Sequence, residues 1–316
     1  MEINKLIGNT PIVKITIKYN NKIQNIYAKL EYYNFTGSIK DRLVKYIIEK
    51  SYEDGKLKKG MPIVEVSSGN TGISFAALGA LYKHPVHIFI PDWVSKERVS
   101  LIKLYGAHVH FITHEDGGFK NAILKADKLA KEINGFRPNQ FSNPLNVEAH
   151  YKGIGTEISY EVPNIDAFVS GYGTGGTLIG IAKKLKETKK QIKIIAMEPK
   201  NMSFLSNEPC IGNHQIEGIG DEFLPDLINT DLIDQVITIT DEEALNMTKR
   251  LSSELGLGVG ISSGANFLAS VLSNEENVAT VFSDDIKKYL STNLVNEIKE
   301  KNLESNKIEF LNFEII

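Results

Sequence analysis

A lysine can act as a covalent nucleophile only when its amine is not held as an ammonium ion, and the stretch Asn34 to Arg42, NFTGSIKDR, disfavours the ammonium at Lys40. Ser38 is a natural N-cap, and Asp41 follows three residues later, where an acid can reach back to the cap's amide. A helix is therefore expected from here through LVKYIIEKSYED to Gly55. Lys40 then falls in the first turn, at the positive end of the helix dipole, which is worth a few tenths to about 1 kcal/mol against a cation. A glycine-containing loop and the apolar strand NIYAKLE lead into it. Burial there would weaken proton binding further and make Lys40 a candidate Schiff-base nucleophile. A lysine picked at random is a solvated surface residue, so the assignment depends on what the rest of the chain supplies.

Three hydroxyl-rich glycine loops supply it. Ser67 to Gly72, SSGNTG, combines Ser67, Ser68, Gly69, Asn70 and Thr71 at the start of an expected helix, where free N–H groups and the positive helix end suit a carboxylate. Gly171 to Thr177, GYGTGGT, lies at another strand-to-helix junction, where glycines let the backbone wrap a phosphate. Gly260 to Gly264, GISSG, opens a third helix. Turn chemistry explains any one of them, but three together point to a ligand. The middle loop has a rival reading: Gly171, Gly173 and Gly176 match GxGxxG, with Glu198 ending the next strand in the place of a ribose-binding acid. That loop alone suggests a NAD-dependent oxidoreductase. It leaves Lys40, SSGNTG and GISSG without employment, whereas a phosphate-bearing aldehyde cofactor uses all of them.

The elements that must position these groups form an α/β chain. PIVKITI (11–17) and QNIYAKL (25–31) read as strands joined by the YNNK turn, hence a hairpin. Strands at 62–66, 86–90 and 108–113 alternate with helices at 70–83, 95–105 and 118–133, the rhythm of a parallel sheet with crossover helices. QFSNP interrupts at 140–144, and a helix is expected at about 147–161. Strand 166–170, helix 176–188 and strand 192–197 follow, then an irregular stretch to Pro225. Strand 235–239, helices 241–255 and 264–273 and strand 278–283 close the series. Two α/β domains are expected, 1–143 and 144–316, with the 11–31 hairpin a candidate to pack on the C-terminal sheet. The tail at 293–316 suggests a helix to about 302 and then a strand, KIEFLNFEII, that pairs with a sheet edge or with a partner subunit.

Composition bounds the function. With 316 residues, 42% hydrophobic and 24% charged, the chain is an ordinary globular protein. A net charge of −3 without basic runs argues against nucleic acid as a partner. The longest apolar stretch, Ile73 to Leu81, is too short to span a bilayer, and no charged-then-apolar leader suggests secretion. Cys210 is the only cysteine, which excludes an internal disulfide and a thiolate-rich metal site and makes a reducing cytoplasm the expected compartment.

The order NFTGSIKDR, SSGNTG, QFSNP, GYGTGGT, EGIG, GISSG and DDIKKYLST, after an opening IGNTPIVKI, resembles the cysteine synthase and cystathionine β-synthase family of pyridoxal phosphate enzymes. The resemblance covers about residues 7–292 and leaves the tail outside. It implies fold type II, two open, twisted, mostly parallel sheets flanked by helices, like the tryptophan synthase β chain, and a homodimer. It implies that Lys40 forms the internal aldimine and that Asn70 bonds the cofactor's ring oxygen. Gly173, Thr174, Gly175, Gly176 and Thr177 would hold the phosphate, and Ser262 would face the pyridine nitrogen. Ser67, Ser68, Gly69 and Thr71, with Gln140, would hold the substrate carboxylate. A serine at the pyridine nitrogen need not keep it protonated, which suits expulsion of a β-substituent better than transamination. The reaction implied is β-replacement through an aminoacrylate, with Lys40 as general base, by default O-acetyl-L-serine plus sulfide to L-cysteine plus acetate. Closure of the domain carrying SSGNTG on the carboxylate would shield the intermediate from water.

Two positions depart from the family pattern. Asp221, after EGIG, stands where sulfhydrylases tend to carry a small residue and cystathionine enzymes an aromatic one. If it faces the cofactor, its charge would repel hydrosulfide and could bind the ammonium of a second amino acid or activate a water. That favours consumption of L-cysteine with release of sulfide, forming lanthionine or serine. Ile154, in GIGTEI, stands where a threonine is usual, so an altered second-substrate side is expected.

Overall fold

The structure, a computed structural model, describes residues 3–113, 115, 117–206, 210, 212–220, 223–298 and 302–316. The chain opens with the hairpin β1 (Ile12–Tyr19) and β2 (Lys22–Leu30). Asn20 and Asn21 turn it in left-handed conformations, φ 47° and 63°, the pair whose twist matches that of antiparallel strands. After α1 (Lys40–Glu53), strands and helices alternate: β3 (Ile63–Val66), α2 (Asn70–Tyr82), β4 (Val86–Pro91), α3 (Lys96–Leu104), β5 (His108–Ile112) and α4 (Gly118–Glu132). The helix expected at 147–161 is two, α5 (Pro144–His150) and α6 (Thr156–Glu161), joined by a π-helical turn in which Gly153 leaves helical geometry (φ −90°, ψ −105°). Then come β6 (Ala167–Gly171), α7 (Gly176–Thr188), β7 (Lys193–Pro199), β8 (Gln235–Ile239), α8 (Asp241–Leu255), α9 (Ile261–Leu272), β9 (Asn277–Phe282) and β10 (Glu309–Ile315).

The strands form two sheets. β3, β4 and β5 make a three-stranded parallel sheet, and the others a seven-stranded sheet in the order β10-β1-β2-β9-β6-β7-β8. The hairpin enters this larger sheet because β2 runs parallel to β9, with Ile26 beside Val278 and Ala28 beside Thr280. Ile15, Ile17, Ile26 and Ala28 are thereby buried against Val169, Phe267 and Phe282. β10 pairs antiparallel with β1, so the tail strand lies on a sheet edge of its own chain. The tail helix expected at 293–302 is absent from its described residues, which form short 3-10 turns at Asn293–Val295 and Glu304–Lys307. No helix among the described residues is long and apolar enough to cross a membrane.

β6 leads outward through β7 to β8, while β9 returns to the opposite side of β6. Crossovers therefore diverge between β6 and β9, and in open parallel sheets a crevice opens at such a reversal, beyond the carboxyl ends of the strands. Asn266, on α9, holds its walls: its Oδ1 accepts from Gly171 N–H at 2.7 Å, and its Nδ2 donates to Val281 O at 2.9 Å.

Candidate active site

One cavity gathers most of the residues singled out above. Lys40, Ser67, Ser68, Asn70, Thr71, Gln140, Gly173, Thr174, Gly175, Thr177 and Ser262 line it, at the ends of β3 and β6 and the starts of α1, α2, α7 and α9. Gly69 and Gly176 stand behind the wall, and Asp221 lies outside the described residues.

Lys40 is the first residue of α1, as the dipole argument requires, but the cap differs from expectation. Ile39 occupies the cap position, and Ser38 Oγ accepts only from Lys40 N–H, at 3.3 Å. Asp41 turns away from the helix end, taking Thr36 N–H and the Thr36 and Ser74 hydroxyls, each at 2.6 Å. A buried carboxylate needs several donors, and three this close outcompete one frayed amide. The result ties the Lys40 loop to α2. Below it, Arg42 donates to Glu31 at 2.6 and 2.9 Å and to Glu157 at 2.6 and 2.8 Å, and Lys29 Nζ meets Glu157 and Glu161 at 2.9 and 2.8 Å. Leu43, Val44, Ile47 and Ile48, at helical spacing, bury the inner face of α1.

In the SSGNTG loop, Ser67 Oγ accepts from Gly69 and Gly72 N–H, both at 3.0 Å, and so closes the loop itself. Thr71 Oγ1 donates to Gln140 Oε1 at 2.7 Å, while Gln140 Nε2 donates to Val66 O at 2.6 Å. Gly69 must be glycine: its φ is +152°, and a Cβ would lie 2.1 Å from Arg98 Cδ.

The Gly173–Thr177 loop is cradled from α5. Asn146 Nδ2 donates to Thr174 Oγ1 at 2.9 Å, and a Cβ on Gly176 would strike Asn146 Oδ1 at 2.0 Å. His150 Nε2 lies 3.2 Å from Thr177 Oγ1. His150 is fully buried, and burial first, then the charges of Lys40 and Arg42, hold its imidazole well below the usual histidine range. The unfolded chain takes up this proton below about pH 6.5 and the folded chain does not, so stability falls with pH there. In His150→Gln, the slope of unfolding free energy between pH 6.5 and 5 is expected to shrink by about 1.4 kcal/mol per pH unit, one proton's worth. Urea unfolding of the cofactor-free protein at several pH values measures it.

At the head of α9 the two serines divide: Ser262 faces the cavity, and Ser263 Oγ accepts from Ser283 N–H at 2.9 Å. Sequence reasoning missed Asn146, His150, Asn266, Asp284 and Lys288. For the last two, DDIKKYLST had stood out as a motif without a role; isolated polar residues in helices gave no signal for the others.

The rival nicotinamide reading finds no support, and one expectation fails. Glu198 receives Tyr172 OH at 2.6 Å and the N–H groups of Phe204, Leu205 and Ser206 at 2.9 to 3.1 Å, so the acid that a ribose would need is already consumed inside the protein. Ile154 is fully buried in the core with Ile158, Leu178 and Ile181, away from the cavity wall, and the residue type there follows packing.

Comparison with known proteins agrees with this geometry. Residues 3–284 match the family described as pyridoxal-phosphate dependent enzyme. Cysteine synthase of Staphylococcus aureus is 40% identical over 300 residues, 92% of this chain and 96% of its own. A hydrogen sulfide-producing enzyme from Fusobacterium nucleatum superposes with a TM-score of 0.94 at 45% identity, covering 100% of this chain and 98% of that one. The O-acetylserine dependent cystathionine β-synthase of Helicobacter pylori reaches 0.86 at 36% identity, over 94% and 98%. With these matches, and with Lys40 on one cavity with the Gly173–Thr177 and Ser67–Thr71 loops, the chain belongs to the pyridoxal-phosphate dependent enzymes, in the cysteine synthase group that carries out β-replacement.

Proposed function

We propose that this enzyme takes L-cysteine as its first substrate, expels sulfide from the β-carbon and adds a second nucleophile there, forming lanthionine or serine. The single observation carrying the scheme is Lys40 on one cavity with the Gly173–Thr177 and Ser67–Thr71 loops. The residues fit the cofactor: Gly175 adopts φ +86°, a backbone turn open to a phosphate at the α7 N-terminus, and Gly176 leaves no room for a side chain. Gly173 to Thr177 would hold the phosphate, Asn70 the ring oxygen and Ser262 the ring nitrogen. When bound, pyridoxal phosphate supplies the electron withdrawal that acidifies the substrate's Cα–H. Ser67, Ser68, Gly69 and Thr71, backed by Gln140, orient the substrate carboxylate. The Lys40 amine would take the Cα proton and return it after the nucleophile has added.

The choice of first substrate is supported by the likeness to the sulfide-producing enzyme, which extends through the tail, and by the charge of Asp221. The second reading, O-acetyl-L-serine plus sulfide to L-cysteine and acetate, is supported by the cysteine synthase relatives. Mass spectrometry of products from L-cysteine alone, and from O-acetylserine with sulfide, separates them: sulfide and lanthionine or serine in the first sample support the proposal, and turnover in the second sample only overturns it. Asp221→Asn is expected to slow nucleophile addition and spare expulsion of the leaving group; equal kinetics throughout would make the acid a bystander.

The same reading has the enzyme act in a reducing cytoplasm, supported by the single cysteine, and as a homodimer. Supporting self-association, β10 leaves one edge of the larger sheet open and exposes Leu311, Phe313 and Ile315.

A further inference from the structure

Among the buried polar groups that the scheme above does not use, three lie just after β9: Asp284, Lys288 and Tyr289. Lys288 is 3% exposed, and its Nζ donates to Gly37 O and to Asn70 Oδ1, both at 2.9 Å. Asp284 is fully buried and accepts from Asn70 Nδ2 at 2.7 Å. Tyr289 OH, itself accepting from Arg98 Nη2 at 2.8 Å, steadies Asp284 with bonds of 3.0 and 2.8 Å.

A carboxamide has nearly the same shape after a half-turn, so packing alone does not fix which end is the donor. At Asn70 charge fixes it. Turning the amide over would set its NH2 against an ammonium and its oxygen against a carboxylate, two repulsive contacts in place of two charge-assisted hydrogen bonds. One Nδ2 hydrogen goes to Asp284, and the other remains on a residue that lines the cavity.

We propose that Lys288 is a positioning residue: anchored on Gly37 O, it locks the Asn70 amide with its NH2 towards the cofactor's ring oxygen. Asn70 opens α2 beside the three-stranded sheet, and Lys288 follows β9 of the seven-stranded one, so a single ammonium registers the two halves of the cavity. This rests on the assignment of Asn70 to the ring oxygen made above. Burial pushes the Lys288 ammonium below the usual lysine range, while Asp284 chiefly opposes the shift. The Lys288 ammonium bonds two neutral acceptors, so a methionine in its place removes a costly buried charge but leaves the Gly37 and Asn70 oxygens without their donor, a smaller loss than breaking an ion pair.

The test is a double-mutant cycle on cofactor binding. Lys288→Met is expected to weaken pyridoxal phosphate affinity about tenfold, as loss of a charged hydrogen-bond partner would, and to shift the pH titration of the visible band. The cofactor-free protein should melt within a few degrees of wild type. In the Asn70→Ala background the same substitution should add less than about twofold, since its lever is gone. Lys288→Arg should recover most of the affinity. Unchanged affinity and band in Lys288→Met, or losses that simply add in the double variant, would overturn the proposal. Lys288→Gln, uncharged but still a donor, carries the same cycle where the methionine variant folds poorly. If Asn70→Ala itself changes neither affinity nor band, the assignment of Asn70 fails, and this proposal with it. If Asn70→Ala acts and Lys288→Met does not, only the role of Lys288 fails.

Discussion

Lys40→Ala is expected to lower turnover by at least about 10³-fold, because it removes both the group that transfers the Cα proton and the covalent anchor of the cofactor. The fold should survive. Lys40 is the first residue of α1 and only partly buried, so its side chain contributes little to the core, and alanine is the best helix former. Borohydride should fix pyridoxal phosphate to the wild-type chain at Lys40 and leave the variant unlabelled, which peptide mass spectrometry resolves. Variant turnover within tenfold of wild type, or label on another lysine, would move the chemistry elsewhere. Lys288, which stands behind the cavity-lining Asn70, is the natural suspect, but its ammonium is committed to Gly37 and Asn70.

The largest loss of stability is expected from Arg42→Met. The guanidinium neutralises Glu31, which is fully buried, and Glu157, and each carboxylate is bound through two parallel hydrogen bonds. Removing one member of a buried ion cluster costs about 3–5 kcal/mol, since a desolvated charge is left behind. For a chain of this size that amounts to roughly 10 °C in melting temperature. Arg42→Lys should recover only part, as an ammonium cannot make two forked pairs. The same cluster sets part of the acid limit. Burial raises the Glu157 carboxyl, but the hydrogen bond and charge of Arg42, with Lys29, outweigh it and hold the group at about 2, against 4.5 for a free glutamate. A carboxyl depressed in the folded state stabilises above its unfolded value, so this contribution is present above pH 4.5 and fades as pH falls towards 2. Arg42→Met should lack most of that decline, which denaturant titrations at pH 3 to 7 would show.

The elements legible in the sequence were those whose periodicity and punctuation agree. α7, β8 and α8 begin and end close to where glycine, threonine and the apolar pattern place them. The loops of the site were legible because serine, threonine and glycine at strand ends have few structural uses in such density. Illegible were features decided by partners distant in sequence. Asp41 looked like a helix cap and instead serves Thr36 and Ser74. The kink at Gly153 interrupts a helical pattern that reads as continuous, where close packing of Gly155 against α7 sets the path. Glu198 matched a ribose-binding spacing by position, while its real partners lie on Tyr172 and in the irregular segment that follows β7.

The pairing of β2 with β9 and of β1 with β10 joins strands separated by most of the sequence. The larger sheet therefore cannot be completed until β9 and β10 have been made, and the hairpin must wait, edges open, while the residues between are translated. The three-stranded half, whose strands follow one another directly, carries no such delay and can fold on the growing chain. Slow maturation, chaperone demand and aggregation should thus be sensitive to substitutions in β2, and far less to equally destabilising ones in β4.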